Sequence, residues 1–389
     1  LLVVSTELDL LETSISQAVT GKTVDIRHKL PPLEALTSIR FLAALYVAIF
    51  HTGLSSLFSQ TSGLARFLRS GYTGVSFFFV LSGFILAYNY PRIRSKRKFW
   101  IARFARVYPV YFLSIVLGIL MHSMRGKPQP VLSLFLVFGL VQAWWTPLFQ
   151  AINAAAWTLS VEAFFYLSLP FLLPLMSRLN WKQFMTLQAA YILLVLSPVA
   201  IDANHLHHLA LLAAQSMESS LPLFRMNTFL VGVFLGLQWN TLHEQRNVTS
   251  WLKMGRRYWA VTGIVGSLLL LQLAPGTLYL PIRTVGLTYS FALVILGLAD
   301  SKRSLLTNHW AQISGEISYG FYILQFPVWA ISLAIQKRFA PSIPFVDLVC
   351  VTLPLLACTA YVSFRWFEIP ARLLIRRALT GQPVPTRPV

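Results

Sequence analysis

The sequence predicts an all-α fold, a polytopic transmembrane helical bundle of about ten spans with a re-entrant or surface segment after the third. Three observations carry that reading. First, the 389 residues are 56% hydrophobic and only 12% charged, and several apolar runs exceed the ~18 residues that cross a bilayer. Second, the 32 Lys and Arg against 13 Asp and Glu gather mainly in clusters beside those runs, as expected of cytosolic loops facing anionic lipid. Third, a few charged or titratable side chains stand inside the runs, where they are costly and mark function.

The elements follow in order. Residues 1–35 carry mixed charge and a Pro31-Pro32 break and read as a cytosolic arm; residues 36–378 form the transmembrane domain; residues 379–389 form a Pro-rich tail without a core. Spans are expected near 37–57, 72–90 and 107–123, with the densest basic run, RIRSKRKFWIARFAR, as a cytosolic loop between the second and third. Counting 132–147 as a crossing gives eleven spans and puts the basic loops Arg246–Arg257 and Lys302-Arg303 and the Arg372–Arg377 tail outside. Holding 131–156 re-entrant or at the outer surface gives ten spans and brings all three inside, so ten is the better count. Later spans fall near 158–177, 184–201, 221–239, 259–274, 280–298, 312–334 and 345–365. His205, His207 and His208 read as an interfacial loop before a metal tract.

Composition also excludes classes. The +19 charge is a membrane pattern and not a nucleic-acid surface, and Cys350 and Cys358 have neither disulfide nor metal spacing.

The first span holds Arg40 where it enters the lipid and His51 near where it leaves. Eleven residues are about three turns, so both lie on nearly one face roughly 16 Å apart. Arg103 and Arg106, in RFAR, project from one helix face and suit paired hydrogen bonds to phosphate. In WTLSVEAFFYLSLP, Glu162 is expected at the outer mouth of its span, level with His51, as the imidazole's orienter, with Tyr166 one turn further as a donor. GVSFFFVLSGF places Ser82 and Gly83 for close helix contact. ISYGFYILQFPV puts Tyr319, Tyr322 and Gln325 on one polar stripe, and in FRWFEIPARLLIRR Glu368 stands one turn from Arg365 and Arg372, an expected ion-pair clasp.

Taken in this order, these motifs resemble acyltransferase family 3, integral membrane proteins that move acyl groups from acyl-CoA to extracytoplasmic sugars and related acceptors. The resemblance runs from Arg40 to Arg372. It implies His51 as the catalytic histidine, Arg40 as its arginine partner, Glu162 as the motif glutamate, and Arg103 and Arg106 as holders of acyl-CoA. Tyr166, Tyr319, Tyr322 and Gln325 are then expected to contact substrate or CoA. Expected partners are acyl-CoA (most simply acetyl-CoA), a glycan or lipid-linked sugar and membrane lipid; no metal and no nucleic acid is expected, and the location is the cell (inner) membrane. The chain departs from the family pattern at Ala163, Ser76 and Gln325, where acidic, acidic and histidine residues are common. A transporter or flippase of acylated glycans or small acids is the alternative; it predicts movement without thioester cleavage, and it lacks the repeat such proteins show.

Overall fold

The computed structural model describes residues 32–59, 62–145, 148, 150–205, 221–244, 250–272, 279–299, 301 and 305–380. The residues up to 31, the three-histidine segment beyond His205 and the tail beyond Thr380 lie outside them. The helical bundle belongs to the unit Leu33–Val389.

Its helices are α1 (Glu34–Thr52), α2 (Gly63–Arg69), α3 (Gly74–Asn89), α4 (Lys96–Met124), α5 (Val131–Phe138), α6 (Trp157–Met176) and α7 (Trp181–His205). They continue as α8 (Pro222–Glu244), α9 (Ser250–Gln272), α10 (Tyr279–Leu298), α11 (His309–Phe339), α12 (Phe345–Ser363) and α13 (Ile369–Thr380). A π-helical turn, Phe364–Glu368, joins the last two. No strand occurs among the described residues. Six helical segments there are long and apolar enough to cross a membrane: α1, Gly71–Asn89 (α3 with the 3-10 turn before it), α4, α6, α11 and the continuous Phe345–Thr380 helix; two shorter apolar helices, Tyr258–Gln272 and Arg283–Leu298, accompany them.

Local chemistry sets the boundaries. α1 ends at Gly53, whose φ of 78° is open to glycine at little cost. Ser95 Oγ accepts from Lys98 N at 3.3 Å, and Asn308 Oδ1 from Ala311 N at 2.8 Å, capping α4 and α11. The Ser95 cap corrects one expectation. The basic run reads as a loop, yet Lys96 already begins α4, so RFAR stands on the first turns of a 29-residue helix. At about 43 Å that helix is longer than the ~30 Å hydrocarbon core.

Among the described residues of 131–156 no helix is long enough to cross a membrane. α5 has eight residues, about 12 Å, and a short 3-10 turn, Gln142–Trp144, follows. Gln142 is fully buried and donates to Ala156 O at 2.9 Å and to Tyr111 Oη at 3.2 Å, pinning this segment against α4 and the start of α6.

Two packing devices hold the bundle around the site. α3 and α8 approach so closely that a Cβ on Gly83 would meet the Phe229 carbonyl, and one on Gly232 the Val80 carbonyl. This is the small-residue contact expected at Gly83. α11 runs alongside α1 in the same direction: Gln312 donates to Ser38 Oγ at 2.9 Å, and Gln325 meets His51. The thirteen residues from 38 to 51 equal the thirteen from 312 to 325, so the pair keeps register.

Prolines inside helices supply further ties. A proline lacks the N–H that would pair with the carbonyl four residues back, and in a span that carbonyl needs another donor. Pro170 frees the Tyr166 carbonyl, which accepts from Trp100 Nε1 of α4 at 3.0 Å. Pro327 frees the Ile323 carbonyl, which accepts from Asn153 Nδ2 at 2.9 Å.

Candidate active site

At the Arg40 end of α1 the structure gathers charge from four helices. Arg40 lies within electrostatic reach of Arg106, Tyr166, Glu162 and Arg103. Arg106 also feels Glu368, and Arg372 feels Arg106, Glu368, Arg103 and Arg376. Arg103 Nη2 donates to Tyr90 Oη at 3.2 Å, with its guanidinium 5.4 Å from that ring's centroid. The buried Nε atoms of Arg103 and Arg372 have no hydrogen-bond partner. Arg106 keeps exposed surface on α4 while Arg103, Tyr166, Glu368 and Glu162 lie within its field. Four guanidiniums (Arg40, Arg103, Arg106, Arg372) thus face two acidic side chains (Glu162, Glu368), a formal surplus of two positive charges with both glutamates ionised.

Glu162 belongs to this nest. Tyr166 hydrogen-bonds it, and Arg106, Arg40 and Arg103 lie within its field. Tyr166 in turn bonds Ser82 of α3, and its backbone carbonyl holds Trp100. The placement differs from the expected outer mouth, level with His51. Thr158 bonds Tyr322, three residues short of Gln325, and Glu162 lies a further turn, about 6 Å, along α6 towards the Arg40 end. The two groups expected to act together therefore sit at different depths.

The π turn brings in the last helix. Such turns insert one residue per cycle and cluster at functional sites. Here the turn buries Glu368, which accepts from Ser363 Oγ at 3.3 Å, while Arg365 stays exposed. Gly320 of α11 makes room for it, because a Cβ there would stand 2.9 Å from Glu368 Oε1. The expected clasp survives on one side: Arg372 stays within the field of Glu368, and Arg365 does not. Tyr90 is the nest residue that sequence reasoning passes over; Arg372 is expected in the clasp with Glu368 but not beside Arg103 and Arg106.

At the other end of α1, His51 has an uncharged setting. Its Nδ1 lies 3.1 Å from Gln325 Oε1, and the Val47 carbonyl, one turn back, is its backbone partner. Phe50 and Phe326 flank the ring with centroids 4.9 and 4.6 Å away. The cavity beside it, about 10 Å³ and lined also by Thr52, Trp329 and Thr352, has room for roughly one water. Between the two ends, Tyr319 donates to Val107 O at 3.2 Å and Tyr322 to Ala155 O at 3.5 Å. The stripe read from ISYGFYILQFPV thus faces the interior. Among the described residues no group of three or more His, Cys, Asp or Glu is placed to hold a metal. Cys350 and Cys358 are exposed free thiols.

The chain is similar to known proteins. A family model described as an acyltransferase domain, that of acyltransferase family 3, matches residues 33–364. Acyltransferase MdmB of Streptomyces mycarofaciens is 27% identical over 319 residues, covering 76% of this chain and 79% of that protein. O-acetyltransferase OatA of Staphylococcus aureus is 23% identical over 371 residues, covering 87% of this chain and 57% of that protein, so the chain spans little more than half of OatA's length. Nodulation protein 10 of Rhizobium leguminosarum bv. viciae is 31% identical over 129 residues, 28% of this chain and 35% of that protein. No solved structure matches. With the match covering most of the chain and every motif from Arg40 to Phe364 inside it, the chain belongs to acyltransferase family 3.

Proposed function

We propose that this protein is an acyl-CoA-dependent O-acyltransferase of the cell membrane, moving an acyl group, most simply acetyl, from cytosolic acyl-CoA to a hydroxyl of an extracytoplasmic glycan or related acceptor. The observation that carries the reading is the pairing, on one helix and eleven residues apart, of a cationic nest with an imidazole in uncharged surroundings. The interval of roughly 16 Å compares with an extended pantetheine arm. The names of MdmB and OatA, an acyltransferase and an O-acetyltransferase, support the reaction class.

In this reading the ten long helices are ten crossings, the 131–156 segment does not cross, and residues 1–35 and 379–389 are cytosolic. The anionic part of the coenzyme rests on Arg103 and Arg106, with Arg40 and Arg372 completing the nest; paired hydrogen bonds from guanidinium suit phosphate. Tyr166, Tyr319 and Tyr322 line the interval along which the thioester travels. The cavity at His51 is water-sized, so the helices around it part before an acyl group enters. His51 then takes the proton from the acceptor hydroxyl as the oxygen attacks the thioester carbonyl. The C–S bond breaks, the sulfur receives that proton, and free CoA and the O-acyl acceptor leave. These steps call for no metal.

The test is turnover of labelled acetyl-CoA by the reconstituted full chain. His51→Ala is expected to abolish acyl transfer while membrane insertion and CoA binding stay at the wild-type level. Turnover retained in that variant removes His51 from the mechanism.

A further inference from the structure

The side chain that meets His51 is an amide, and its orientation is settled by its second bond. Gln325 Nε2 donates to the Tyr322 carbonyl at 2.7 Å, while Gln325 Oε1 lies 3.1 Å from His51 Nδ1. A peptide carbonyl can only accept, so the amide must turn its NH2 to Tyr322 and its oxygen to the ring. An amide oxygen also only accepts. The nitrogen facing it must therefore carry the hydrogen, which leaves Nε2 with a free lone pair.

The setting reinforces this choice. Gln325 is 4% exposed, so the amide has little freedom to turn over. The Val47 carbonyl, on the ring's own helix, is one more acceptor. Phe50, Phe326, Thr52, Trp329 and Thr352 complete the surroundings, and none of them is charged. Glu162, the carboxylate expected to orient the ring, bonds Tyr166 instead.

We infer that Gln325 is a positioning residue, which holds neutral His51 as its Nδ1–H tautomer and keeps Nε2 open for the acceptor's proton. The inference rests on the reading of His51 as the base. It assigns to an uncharged amide the tautomer-fixing half of what a carboxylate does in a base–orienter pair. The other half, Coulomb stabilisation of the imidazolium, an amide does not supply.

The experiment uses the full chain in nanodiscs and two readouts. Nitrogen-15 spectra of histidine-labelled protein, with His51 assigned by the resonance lost in His51→Ala, are expected to show one Nδ1–H tautomer in the wild type. In Gln325→Leu, which keeps bulk and loses both hydrogen bonds, a mixture of tautomers is expected. Turnover of Gln325→Leu is expected to fall about ten-fold in kcat, the worth of one hydrogen bond, with KM for acetyl-CoA unchanged; Gln325→Glu, which restores an acceptor, recovers the single tautomer. An Nε2–H tautomer in the wild type, or an unmixed Nδ1–H ring in Gln325→Leu, overturns the inference. So does full kcat in Gln325→Leu. The spectra do not depend on activity, so an active His51→Ala would sink the proposed function while leaving the tautomer result standing.

Discussion

The two ends of α1 are built from opposite materials. Around Arg40 stand four guanidiniums and two carboxylates drawn from α1, α4, α6 and the π-turn helix. Around His51 stand an amide, aromatic rings and hydroxyls. Holding a polyanion and moving a proton make conflicting demands on the local field. Cations packed against an imidazole would penalise the charge it acquires as a base, whereas cations against phosphate do the binding. Eleven residues of helix keep the two apart, and both sites remain on one rigid element. A nest whose guanidiniums outnumber its carboxylates favours an anionic ligand.

The sharpest way to break this contrast is to empty the nest. Arg106→Ala with Arg372→Ala removes two charged donors, each hydrogen bond to a charged group being worth ~1.5–3 kcal/mol. KM for acetyl-CoA in reconstituted protein is then expected to rise by about 10² or more, with kcat within a few-fold. The opposite pattern, kcat lost and KM kept, would place the arginines with the chemistry and not with the donor.

Glu162→Gln gives a smaller effect and decides between two readings of one residue. As part of the nest, its loss raises the positive surplus from two to three, so KM for acetyl-CoA is expected to fall by up to about ten-fold while kcat and its pH profile hold. An orienter of His51 would instead lose roughly 10²–10⁴ in kcat, and initial-rate kinetics across pH separates the outcomes.

Glu162 also shows where the sequence stops being legible. Helix existence is readable because apolar length and flanking cations dictate it, and the expectation that 131–156 does not cross comes from the placing of three distant basic loops. The helical start at Lys96 escapes because charge density resembles a loop, although Ser95 three residues before Lys98 is a capping signal in plain view. Depth and rotation are harder. A motif fixes how far along its own helix a side chain stands, yet which neighbour it meets depends on how the helices slide and on long arginines reaching across. Arg365 and Arg372 are equal candidates for Glu368 under the one-turn rule. A π turn defeats that rule by inserting a residue, and nothing in FRWFE announces it. Gln325 is legible as polar and interior, but its partner is not, since 274 residues separate it from His51.

The smallest expected effect tests how each end is anchored. Trp100→Phe leaves the Tyr166 carbonyl, orphaned by Pro170, without a donor, at a cost of about 1–3 kcal/mol in stability. Restoring the missing N–H with Pro170→Ala gives that carbonyl a helical partner, so the loss on Trp100→Phe is expected to shrink in the Pro170→Ala background. Thermal unfolding of the four proteins of this cycle measures the coupling. Asn153→Ala with Pro327→Ala is the same cycle at the His51 end, where the Ile323 carbonyl is at stake. Each cycle is expected to disturb its own site alone: donor KM for the Trp100 pair, kcat for the Asn153 pair. Additive losses in either cycle would mean that the proline-freed carbonyl is not what the side chain serves. Crossed effects would mean that the two ends are one site.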